Sequence, residues 1–236
     1  MLGFGLGNRD KPEAPQLNAV FVCETGLLRA ENQDNVLVSV GRGVFCVADG
    51  VGGGAEGAKA SATVCHELKM MLHVAGDDFA DRLSAVRTSL VDANAVIHDY
   101  AHERGYEQMG TTAVVLVFDL QDCTRAAVVH VGDSRAYRVR HGLCERITRD
   151  HRALGDNSLT RAIGAFPTVT CDVDEIDVAH GDRFLVCSDG VYGVVSDGRI
   201  ATFVGGGTID SAAERLAAEV VRKGAPDNYS FVLVSA

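Results

Sequence analysis

The chain has 236 residues, 47% of them hydrophobic, and a formal charge of -10, so it is long enough to bury a substantial core in one large domain. Its acidity excludes a general binder of nucleic acid or of anionic membranes, because both need a basic face. No apolar run approaches the ~18 to 20 residues that span a bilayer, the first residues lack a basic segment followed by an apolar one, and a cytoplasmic location is expected.

Residues 1–16 mix glycine, proline and charge without periodicity; they are expected to form a loose tail ahead of a single domain over residues 17–236. Valine-rich strand signals follow at 17–23, 35–40 and 44–48. Helical spacing first covers 56–73, with Val64, Leu68, Met71 and Leu72 on one face, and then 79–102, with Phe79, Leu83, Val86, Leu90 and Ile97. Strand signals return at 112–120, 126–131, 135–139, 171–176 and 184–187. A short helix near 197–203 and a longer one over 209–221 precede a last strand at 231–234. The strands come in groups rather than in βαβ alternation, which predicts an α+β fold of two packed antiparallel sheets covered by helices. The seven cysteines are odd in number, widely spaced and without a CxxC pair; they read as small buried hydrophobes kept reduced.

Three segments share one pattern, an apolar strand running into an aspartate beside glycine: VFCVADG ending at Asp49 and Gly50, VVHVGD ending at Gly132 and Asp133, and FLVCSDG ending at Asp189 and Gly190. Asp227, in PDN ahead of the final strand, is a fourth variant, and Asp34 in RAENQD brings the set to five. One Asp-Gly alone is most simply a turn. Recurrence at rigid strand ends points instead to an oxygen cage, since glycine lets backbone carbonyls approach a ligand as closely as the carboxylate does. Converging carboxylates repel one another unless a cation is shared, and oxygen donors suit a hard divalent ion, Mg2+ or Mn2+. His98 and His102 stand at i, i+4 on the second helix with no third zinc ligand nearby, so they read as surface histidines.

Taken together, RAENQD (29–34), VADGVGGG (47–54), MGTT (109–112), HVGDSRAYR (130–138), TRDH (148–151), LTRAIG (159–164), CSDGVYGVVSD (187–197) and PDNYSFVLV (226–234) occur in an order that resembles the metal-dependent, type 2C serine/threonine protein phosphatases in their compact bacterial form. The resemblance implies a central antiparallel β-sandwich flanked by helix pairs, a four-layer α-β-β-α arrangement. It implies that Asp49 bridges two Mn2+ or Mg2+ ions, with Asp189 and Asp227 on the first and the Gly50 carbonyl and Asp34 on the second. Asp133 with Asp189 matches the position of a third, weaker ion, and Arg29 matches the arginine that grips the substrate phosphate, a task suited to its planar fork. Arg29 and Asp49 are thus the catalytic candidates. The implied reaction is direct attack of a metal-activated water on phosphoserine or phosphothreonine, on a protein phosphorylated by a bacterial serine/threonine kinase; a monomer without nucleic-acid partner is expected.

The chain departs from that pattern twice. Where relatives often carry a histidine just after the DG dipeptide or a few residues on, it has Val51 and Gly54, which leaves the general acid to a bound water or to a group such as His151. Between His151 and Leu159, where many bacterial relatives carry a flap subdomain, it has seven residues beginning with Arg152, and a more open cleft with weaker dependence on the third ion is expected. Three rivals stand beside this reading. A dinucleotide-binding loop fits GxGxxG at 52–57, but without βαβ units and with Asp49 against the pyrophosphate. A degenerate domain that only binds phosphoproteins would be expected to lack some of the five aspartates, and a phosphatase of a small metabolite is the third.

Overall fold

The computed structural model describes residues 17–52, 55–106, 108–122, 124–153, 155 and 158–236; the expected tail at 1–16 and Gly54 lie outside them. The β-branched runs form strands because valine packs well on a pleated surface. One sheet takes β1 (Asn18–Glu24), β7 (Arg135–Arg140), β8 (Leu143–Arg146), β10 (Arg183–Cys187) and β11 (Tyr229–Ser235) in the order β1-β11-β10-β7-β8. The other takes β2 (Asp34–Ser39), β3 (Val44–Gly52), β5 (Ala113–Phe118), β6 (Arg125–Val131) and β9 (Asp172–Asp177) in the order β2-β3-β5-β6-β9, with β4 (Met109–Thr111) pairing the far end of β3. All the pairings are antiparallel.

Helices α1 (Ala55–Val74) and α2 (Phe79–Arg104) cover the second sheet, burying Val64, Leu68, Leu90 and Ile97 against Cys46, Val115 and Val129. Gly105 ends α2 in the left-handed conformation that favours glycine. On the outer face of the first sheet lie α3 (Asp189–Tyr192), α4 (Asp197–Val204) and α5 (Ile209–Arg222), with Ile200, Leu216 and Val220 packed on Leu185 and Phe231. The α-β-β-α layering follows. Between the sheets a third apolar layer runs from Phe45, Phe118 and Phe184, which meet edge-on with centroids 5.9 and 5.4 Å apart, to Val47, Val114, Val128 and Val186.

The strands and helices expected from periodicity all form, with ends shifted by a few residues. β4, β8 and α3 are additions: two short strands and a single turn of helix, too brief to show a period. The six described cysteines are free thiols.

Candidate active site

Strand register brings the first two carboxylates together. Asp34 opens β2 and lies opposite Asp49 on β3, and Thr111 and Thr112, from the MGTT run, fix the Asp49 backbone. Its N–H donates to Thr112 Oγ1 at 3.1 Å, while its carbonyl accepts from the Thr112 N–H at 2.8 Å and from Thr111 Oγ1 at 2.9 Å. Gly50 is required by proximity: a Cβ there would lie 2.2 Å from the Gly57 carbonyl oxygen.

The other sheet supplies Asp189, first residue of α3, and Asp227, which precedes β11. Gly190 lets that helix turn press against the following strand, for a Cβ would stand 1.9 Å from the Asn228 oxygen. Ser188 crosses between the sheets, its hydroxyl donating to Asp34 Oδ2 at 2.7 Å. Asn228 pins the loop that carries Arg29: its amide donates to the Thr25 and Glu31 carbonyls at 2.8 and 2.9 Å, and its oxygen accepts from the Gln33 N–H. Arg29 then reaches Asp227 at 2.7 Å. Asp133 follows Gly132, whose φ of +97° places it in the left-handed region, and its carboxylate meets the Arg152 guanidinium.

Arg29, Asp49, Asp133, Arg152, Asp189 and Asp227 face one cleft of about 770 Å3, and Asp34 is buried opposite Asp49 on the neighbouring strand. Burial, followed by the charges of Asp34, Asp189, Asp133 and Asp227, holds the Asp49 carboxyl far above the usual carboxylate range. Burial also pushes Asp34 up to about 6, against the Ser188 hydrogen bond that favours its anion. Asp189 is raised first by burial and then by Asp133 and Asp227. Asp34 Oδ1 is buried with no hydrogen-bond partner. Hard oxygen donors at mutual repulsion and an orphaned buried oxygen are the features of a cage for divalent cations, so the residues present fit such ions.

All the residues expected from the sequence therefore gather at one end of the sandwich. Ser188, Asn228 and Arg152 touch the candidate site through Asp34, Gln33 and Asp133, contacts that the sequence does not show. His151 is corrected. It is 6% exposed, the Gly132 N–H donates to its Nδ1 at 3.1 Å, and its Nε2 must then carry the proton that it donates to Asp172 Oδ2 at 3.1 Å. Burial lowers its pKa, and it has no proton to offer the cleft. The same tautomer removes the His130, His151 and Asp172 cluster as a metal site, since the His151 lone pair is already taken. His98 and His102 line the cleft wall without joining a ligand cluster among the described residues.

The protein phosphatase 2C family model matches residues 29–222. Serine/threonine protein phosphatase PstP of Mycobacterium tuberculosis is 31% identical over 89% of this chain and 43% of its own length, so the chain spans less than half of that relative. The structure of PppA, described as a key regulatory component of T6SS in Pseudomonas aeruginosa, superposes with a TM-score of 0.89 at 29% identity, covering 94% of this chain and 99% of that one. The PstP catalytic domain in complex with two manganese ions gives 0.80 at 30% identity, covering 93% and 97%. The chain belongs to the protein phosphatase 2C family.

Proposed function

We propose that this chain is a serine/threonine protein phosphatase, and that Asp34, Asp49, Gly50, Asp189 and Asp227 hold two divalent cations, Mn2+ or Mg2+. The observation that carries the reading is the meeting of Asp49, Asp189 and Asp227 in one cleft, with Asp34 buried opposite Asp49, where burial first and then the neighbouring carboxylates raise the Asp49 carboxyl well above its usual range. When bound, such cations supply Lewis acidity that activates solvent toward phosphorus and offsets charge on the phosphoryl oxygens.

The chain's own groups supply the rest. Asp49 sits between the donors of both sheets, and its backbone is fixed by two threonines, so its carboxylate is oriented before any ligand arrives. Arg29, half exposed and on a loop pinned by Asn228, can turn its fork from Asp227 to a substrate phosphate. The substrate is a phosphorylated protein, the opposing enzyme a bacterial serine/threonine kinase, and the working unit a cytoplasmic monomer with residues 17–236 as one domain.

Hydrolysis of p-nitrophenyl phosphate and of a phosphothreonine peptide with Mn2+ tests this. Turnover of both is expected to vanish in EDTA and to fall by several orders of magnitude in Asp49→Asn, which removes a shared ligand. Retained activity in the variant would refute the cation cage, and turnover of small phosphate esters alone would refute the protein substrate.

A further inference from the structure

Two carboxylates of the cleft lining, Asp133 and Asp189, stand where the family resemblance implies a third and weaker cation, but this chain does not leave them open. Arg152 Nε donates to Asp133 Oδ2, and its Nη2 donates to Asp189 Oδ2 at 3.3 Å. The guanidinium thus bridges the pair that a third ion would have to bridge.

Its place is built rather than incidental. The Tyr192 hydroxyl donates to the Asp133 carbonyl at 2.9 Å and accepts from Arg152 Nη2 at 3.5 Å. Arg135 stacks 3.7 Å over the Tyr192 ring and grips Asp150 through two hydrogen bonds. On the backbone, the His151 N–H donates to the Gly132 carbonyl at 3.0 Å while the Gly132 N–H returns to the His151 ring, so the residue before Arg152 is clasped to the residue before Asp133. Arg152 itself forms an antiparallel bridge with Leu159, flanked by hydrogen bonds from Thr160 to His151 and from Ala153 to Ser158. The short connection that stands where many relatives have a flap is therefore what carries the guanidinium to the two carboxylates.

A guanidinium keeps its charge at every working pH and offers donors in a fixed plane, so it cannot yield by losing a proton as an ammonium could. A divalent ion entering between the same oxygens would meet a like charge at contact distance. We propose that Arg152 is a resident cation in the place of a third divalent ion, so that this chain takes up two such ions where the same carboxylates without the arginine would admit three. The inference rests on the reading of the cleft as a cation-binding phosphatase site.

The experiment is Mn2+ stoichiometry, by equilibrium dialysis with elemental analysis and by calorimetry, on the full chain up to millimolar metal. The wild type is expected to bind two equivalents. Arg152→Ala should bind a third and weaker one, lost again when Asp133→Asn is added. Should the alanine variant not fold, Arg152→Gln carries the same expectation, since it removes the charge and keeps a polar head. Three equivalents in the wild type, or two in the variant that lacks the charge, would overturn the proposal while leaving the two-cation cleft intact. No bound Mn2+ in the wild type would overturn both.

Discussion

Replacing Asp34 by asparagine is expected to stabilise the metal-free protein while weakening the proposed cation site. Asp34 is 5% exposed, and its carboxyl is raised from 3.8 to about 6 by burial. Because the folded carboxyl holds its proton to higher pH than the unfolded one, its contribution favours folding below pH 3.8 and is lost as pH rises through about 6. That displacement withdraws about 3 kcal/mol from the folded state above pH 7, at 1.36 kcal/mol for each pH unit. Asparagine carries no charge and keeps an oxygen to accept from Ser188. In EDTA at pH 8, Asp34→Asn should therefore melt about 6 to 12 °C above the wild type, taking roughly 2 to 4 °C per kcal/mol for a chain of this size. The gap should close toward pH 4, and Mn2+ should reverse the order by stabilising the wild type alone. Differential scanning calorimetry at both pH values, with and without metal, reads all of this. Coincident melting at pH 8 in EDTA, or a gap that does not change with pH, would refute the electrostatic argument.

Three other substitutions have defined outcomes. Arg29→Ala should lower kcat/KM for a phosphothreonine peptide about 10- to 100-fold, the worth of a charged hydrogen bond of roughly 1.5 to 3 kcal/mol, with KM moving more than kcat; steady-state kinetics with an unchanged KM would remove its phosphate role. His151→Ala should cost about 1 to 3 kcal/mol in urea unfolding, because the Gly132 N–H is left unpaired in a buried place. The pH profile of kcat should keep its shape in the fraction that folds, and disappearance of one limb would return His151 to the role of proton donor. Gly190→Ala drives a methyl into the Asn228 carbonyl oxygen and should destabilise by about 3 kcal/mol or more, beyond ordinary overpacking; circular dichroism and chemical unfolding would detect a tolerated alanine.

The aspartates were legible because each stands at the end of an apolar run beside glycine or asparagine, a local signature that survives without knowledge of neighbours. The long helix α2 was equally plain, its buried Phe79, Val86, Leu90 and Ile97 repeating at helical spacing. β8 was hidden because Leu143 to Arg146 is an edge strand with little of its surface buried, and β4 because three residues show no alternation. Ser188 and Asn228 act through partners more than 150 residues away, and nothing in their flanking residues records that. His151 misled for the same reason: its buried state is set by Gly132 and Asp172, which reach it only through the fold. Arg152 looked like one residue of a shortened loop until the bridge to Leu159 aimed it.

The hydrogen bond from Ser188 to Asp34 joins opposite faces of the sandwich, and that has a reach beyond the cleft. The carboxylate oxygens of one layer are measured against those of the other, and the interval is set by what fills the gap: aromatic rings toward one end of the strands, slim valines toward the carboxylates. The interior thus serves as a spacer gauge for the carboxylate cleft. A swap such as Phe184→Leu, remote from the cleft, is expected to change the pitch between the layers and so the spacing of the proposed cation donors.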